Sequence, residues 1–184
     1  MSAAEVPVAT AEASSAGYEI VELAALRGRA ADLRAIAMSH DVTLPEMGRA
    51  VVADEMITLC VRPDRWLLAA RRLRASSASD SKQEALNRRA AGIDWQSSCE
   101  GVAVAVDLSS ALAPVRIQDG ATYARLAGGC RVDLSPAVFP EGHAAATIIA
   151  QVQVILTRLP DAMLVLTPST TARHFKEWLG APAP

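Results

Sequence analysis

Two segments of this chain repeat one another. Residues 57–69 read ITLCVRPDRWLLA and residues 154–166 read VILTRLPDAMLVL, so the two align at a constant offset of 97 residues. Each is an apolar strand, a Pro-Asp turn and a second apolar strand. Proline pre-sets φ at the first turn position and aspartate accepts local backbone hydrogen bonds, so each segment predicts a β-hairpin. The same offset sets residues 18–20 over residues 115–117, each followed by a helical stretch. Two copies of a β-α-β-β unit are the simplest account, and they predict an α+β fold with pseudo-twofold packing.

The remaining elements follow from periodicity. Residues 18–23 alternate as a short strand, and Ala30, Leu33, Ile36 and Ala37 recur at helical spacing within residues 27–39, a helix that residues 41–45 close. Residues 50–61 read as one strand running into the first Pro-Asp turn. The small polar tract at 75–81 reads as a loop, leading to a helix at 82–91 that Gly92 caps. Residues 101–108 set Val102, Val104, Val106 and Leu108 on one strand face against Ala103, Ala105 and Asp107. Asp119 caps a helix over residues 120–127, which Gly128 and Gly129 end. Residues 147–157 then form one long strand, with Ile148, Ala150, Val152, Val154 and Leu156 opposite Thr147, Gln151, Gln153 and Thr157. A last helix at 170–179 places Phe175, Trp178 and Leu179 on one face.

At 184 residues the chain has the size of one domain. The boundaries read as a tail at 1–16, a single α+β domain at 17–180 with halves at about 17–91 and 101–180, and a tail at 181–184. With 51% hydrophobic residues and only 4% aromatic, the core must be built from Ala, Val, Leu and Ile. A formal charge of -2 provides no general attraction to nucleic acid or anionic membrane. No apolar run is long enough to span a membrane, and the first residues lack the basic leader of a targeting segment. Cys60, Cys99 and Cys130 are widely spaced and without a C-x-x-C pair, the usage of free thiols in a reducing cytoplasm.

Side chains that could carry chemistry are scattered. His40, His143 and His174 have no ligand partner at metal-binding spacing, and no nucleophile sits beside a base. Gly128 and Gly129 follow a helix instead of opening one, which fits a helix terminus and not a phosphate cradle. Arg71, Arg72, Arg74, Arg88 and Arg89 form the densest basic region, a solvated face or a subunit contact. The expectation is therefore no catalytic, cofactor-binding or metal residue in this chain. Large aromatic side chains serve either cores or binding hot spots, which makes Trp95, Phe175 and Trp178 the candidates for partner contact.

The second half carries a distinctive string: Leu126-Ala127-Gly128-Gly129-Cys130, Asp133-Leu134, Pro136, Phe139-Pro140, Gly142, Ala145 and Thr147. It resembles the gamma subunit of heterotetrameric sarcosine oxidase, and Pro63-Asp64-Arg65-Trp66-Leu67-Leu68 looks like that family's Trp-containing hairpin. The resemblance implies a fold similar to part of the folate-binding aminomethyltransferase domain. It also implies a cytoplasmic complex with alpha, beta and delta partners, alpha above all, that oxidatively demethylates sarcosine or a related N-methyl amino acid. FAD, FMN, NAD, zinc and tetrahydrofolate would lie on other chains, leaving this one as a non-catalytic packing subunit. A subunit of a related secondary-amine dehydrogenase and a free-standing folate-binding relative are the alternatives.

Overall fold

The computed structural model describes residues 17–53, 56–71 and 92–180. The first sheet is built from β1 (Tyr18–Ala25), β2 (Arg49–Ala53), β3 (Met56–Arg62), β4 (Arg65–Arg71) and β5 (Ala103–Asp107), in the order β2-β3-β4-β1-β5. The second holds β6 (Leu112–Ile117), β7 (Ala144–Ile149), β8 (Val152–Arg158) and β9 (Met163–Pro168), in the order β6-β9-β8-β7. All pairings are antiparallel. The helices are α1 (Ala30–Ser39), α2 (Trp95–Ser98), α3 (Gly120–Gly129) and α4 (Ala172–Gly180). Asp119 caps α3 by accepting the Thr122 N–H at 2.8 Å, and that bond holds its carboxyl below the usual carboxylate range.

The two sheets stack face to face with helices outside them. Ile20, Ile57, Leu59, Leu67 and Ala69 of the first sheet meet Leu164 and Leu166 of the second in the seam. Their strand neighbours point the other way: Leu23, Cys60, Trp66 and Leu68 pack under α1 and α2, while Val115, Val154, Leu156 and Val165 pack under α3 and α4. Alternate residues of one strand thus serve two cores, which explains the unbroken apolar runs of β3, β4 and β9. One side of the sandwich is stitched by backbone, where the Ala50 N–H donates to the Gly142 carbonyl at 2.8 Å and the Ala144 N–H to the Gly48 carbonyl at 2.9 Å.

Both Pro-Asp turns form. Asp64 takes φ 58° after Pro63, the pattern of a type II turn, and Asp161 sits between β8 and β9, where it accepts from Arg116 at 2.5 Å. In each half, one strand, one helix and three strands build sheets of corresponding order, β2-β3-β4-β1 and β7-β8-β9-β6. Each half thus contains the run β-α-β-β-β, with a strand more than the expected β-α-β-β. Each missed strand was hidden in a run taken as one element. Residues 50–61 divide into β2 and β3, paired from Arg49↔Cys60 to Ala53↔Met56, and residues 147–157 divide into β7 and β8. In the latter, Ala150 and Gln151 make the turn with φ 48° and 64°, a two-residue hairpin connection without the usual Asn or Gly.

Three further expectations change. β5 pairs with β1, so residues 103–107 belong to the first sheet although they lie in the second half of the chain. Its alanines, Ala103 and Ala105, pack on the core, while Val104 and Val106 are 51% and 40% exposed. Gly128 and Gly129 stay inside α3, and neither has positive φ. A Cβ on Gly129 would sit 2.6 Å from Trp178 Cζ2 and Cη2, so this glycine exists for close packing, not for a left-handed cap. The expected loop at 75–81, the helix at 82–91 and both tails lie outside the described residues.

Two stability outcomes follow. Replacing Ala150 by Asn and Gln151 by Gly should stabilise the chain by about 1 kcal/mol, since L-residues other than Asn, Asp and Gly resist left-handed backbone; a thermal melt should rise by about 2–4 °C. Gly129→Ala should instead cost about 1–3 kcal/mol through overpacking against Trp178, read as a lower melting temperature and an altered near-ultraviolet signal.

Candidate functional site

The polar residues singled out from sequence stay apart in space. His40 meets the edge of the Trp95 ring, His143 lies between Arg49 and Phe139, and His174 is exposed on α4. Among the described residues no group of three or more His, Cys, Asp and Glu is placed to hold a metal ion. Cys60 and Cys99 are buried, and loss of solvent pushes both thiols up, which keeps them protonated and poorly nucleophilic. Of the basic region only Arg71 lies within the described residues. No described helix is long and apolar enough to cross a membrane.

Two of the three aromatic contact candidates are core residues. Trp95, 3% exposed, packs with Leu33, Val42 and Cys99 beneath the first sheet. Phe175, 0% exposed, is the centre of the cluster that binds α3 and α4 to the second sheet. Neither ring presents a face to a partner, because in an aromatic-poor chain the large side chains are needed to fill the layers beneath the sheets. Trp178 is half-buried, stacked under Arg125 at 5.1 Å and seated on Gly129. Phe175→Ala should accordingly lower the stability of the isolated chain by about 3–5 kcal/mol in a denaturant melt.

The second-half string is a set of packing and backbone devices. The Asp133 carboxylate accepts the Ser135 N–H at 2.8 Å and shapes a turn that buries Leu134. Arg158 reaches across from β8, donating from Nε to the Phe139 carbonyl at 2.6 Å and from Nη2 to the Tyr123 hydroxyl at 2.7 Å and to the Leu134 carbonyl. Tyr123 donates to that same Leu134 carbonyl, and the guanidinium lies over its ring at 5.4 Å. One arginine thus satisfies the carbonyls of a loop that has no ladder of its own. Gly142, at φ 73°, closes the loop where a Cβ would approach the Ala50 carbonyl to 3.2 Å.

What sequence reasoning missed is a groove at the open end of the seam. On the inner face of the second sheet, Ala144 pairs with Thr157 under cover, Ala146 with Ile155 at the margin, and Ile148 with Gln153 beyond it. Ile148 is 46% exposed. One section of the groove, about 220 Å³, runs between Leu59, Leu67 and Glu22 of the first sheet and Leu112 and Ile155 of the second. The next, about 330 Å³, continues over Ile148, Gln153 and Pro168. Arg62, Leu112 and Ile155 line both. Glu22 is held by Arg65 at 3.4 Å, whereas Arg62 has no ion-pair partner among the described residues. The walls are mostly aliphatic, with Thr147 and Gln153 as polar members, so the groove can take an apolar group with an anionic end. Its signal, Ile148 facing inward past a hairpin turn, was obscured because residues 147–157 read as one strand.

The architecture matches solved structures. A chain of the heterotetrameric sarcosine oxidase from Corynebacterium sp. U-96, determined in complex with pyrrole 2-carboxylate, superposes with a TM-score of 0.70 at 24% identity, covering 90% of this chain and 78% of that one. The glycine cleavage system aminomethyltransferase T from Bartonella henselae superposes with a TM-score of 0.55 at 13% identity, over 89% of this chain and 43% of that one. The fold is shared with both. This chain spans less than half of the aminomethyltransferase. The sequence matches no protein-family profile and no curated protein.

Proposed function

We propose that this chain is the gamma-type, non-catalytic packing subunit of a cytoplasmic, heterotetrameric sarcosine oxidase-like complex. It joins alpha, beta and delta chains, alpha chiefly, in an enzyme that oxidatively demethylates sarcosine or a related N-methyl amino acid. The observation that carries this reading is the likeness to a chain of such an oxidase over 90% of this chain. The loop string supports it, because those residues set the sheet corner and the α3–α4 contact. FAD, FMN, NAD, zinc and tetrahydrofolate belong to the other subunits on this reading.

Co-expression with the products of neighbouring genes, followed by size-exclusion chromatography with flavin absorbance, tests the assignment. The chain should travel with a yellow complex and be colourless alone. An isolated chain that oxidises sarcosine, or a complete active oxidase that assembles without it, overturns the proposal. The aminomethyltransferase likeness provides a second reading, a free-standing folate-binding protein, which calorimetric binding of tetrahydrofolate by the isolated chain would favour.

A further inference from the structure

We infer that the groove at the open end of the inter-sheet seam receives an apolar segment of a partner subunit, which brings a carboxylate to Arg62. The inference rests on the reading of the chain as an assembly subunit and names the surface used.

Sheet faces elsewhere in the seam are covered, and here they stop being so. The inner face of the second sheet runs on past the first, so that Ile148, with the flanking Gln153 and Pro168, is left open among the described residues. On the first sheet the row from Leu59 through Leu67 and Glu22 ends at Val106, 40% exposed on the edge strand. The two overhangs continue into one another through the groove floor at Leu112 and Ile155. A trench of this volume, open along its length, suits the side chains of a polypeptide segment better than an enclosed small ligand.

Charge identifies the chemistry of that segment. Three charged residues line the groove, and two of them, Glu22 and Arg65, neutralise each other at 3.4 Å. The third, Arg62, has no ion-pair partner among the described residues. Its backbone is set from both sides: the Cys60 thiol donates to the Arg62 carbonyl at 3.1 Å, and the Pro63–Asp64 turn follows immediately. An exposed guanidinium beside an apolar trench is complementary to an aliphatic segment bearing Asp or Glu.

The test places Ile148→Asp and Arg62→Glu separately in the co-expressed complex, with Met38→Asp, 59% exposed on α1, as a control away from the groove. Variants are compared only where the melting curve of the isolated chain matches wild type. Both groove substitutions should weaken association by about tenfold or more, with the control unchanged. If wild type assembles and the groove variants assemble equally well, the inference is overturned while the subunit assignment stands. If wild type forms no complex, that assignment fails and the inference falls with it. Tetrahydrofolate binding abolished by Arg62→Glu without effect on assembly, or a dimer of the isolated chain dispersed by Ile148→Asp, would give the groove to another occupant and overturn it.

Discussion

The structure depends on two antiparallel sheets that each bury residues on both faces. Ile20, Leu59 and Leu67 meet Leu164 and Leu166 in the seam, while the alternate residues Leu23, Leu68, Leu156 and Val165 pack outward under helices. Each such aliphatic side chain contributes about 1.5–3 kcal/mol on burial, so the seam and the two outer layers share the stabilisation. Neither sheet is complete alone. A single antiparallel sheet with one helix layer would leave the unbroken apolar runs of β3, β4 and β9 half exposed.

The residues that mark the family-like string act through the same constraint. With few aromatic rings, α4 reaches α3 through one of them, Trp178, and the contact is close only because Gly129 lacks a Cβ. The loop between α3 and β7 carries carbonyls without strand partners, and Arg158 takes two of them along with Tyr123. Gly142 then lets the loop meet β2 where backbone bonds join the sheets. The structural role of these positions lies in what they pack and satisfy. At 24% identity, the likeness to a chain of a heterotetrameric oxidase is one of architecture.

Much of the fold was legible because the aliphatic periodicity is strong and the Pro-Asp turns are explicit. The Asp119 cap, the hairpins β3–β4 and β8–β9 and the helix α4 all stand where local pattern puts them. The turn at Ala150 and Gln151 was not legible, since neither residue advertises positive φ and the alternation runs through the turn without a break. The faces of β5 were misleading for a different reason. Valine is the more apolar residue, but the space beneath that edge strand fits only Ala103 and Ala105.

By itself the sequence determined the element types, the Pro-Asp hairpins and the aliphatic character of the core, because these depend on local dihedral preference and on spacing along the chain. Only the tertiary structure decided which aromatic rings were core, why Gly129 is glycine, to which sheet β5 belongs and where the seam stays open. Those outcomes depend on which surfaces distant segments bring together, and that is a matter of packing volume and register between strands far apart in sequence.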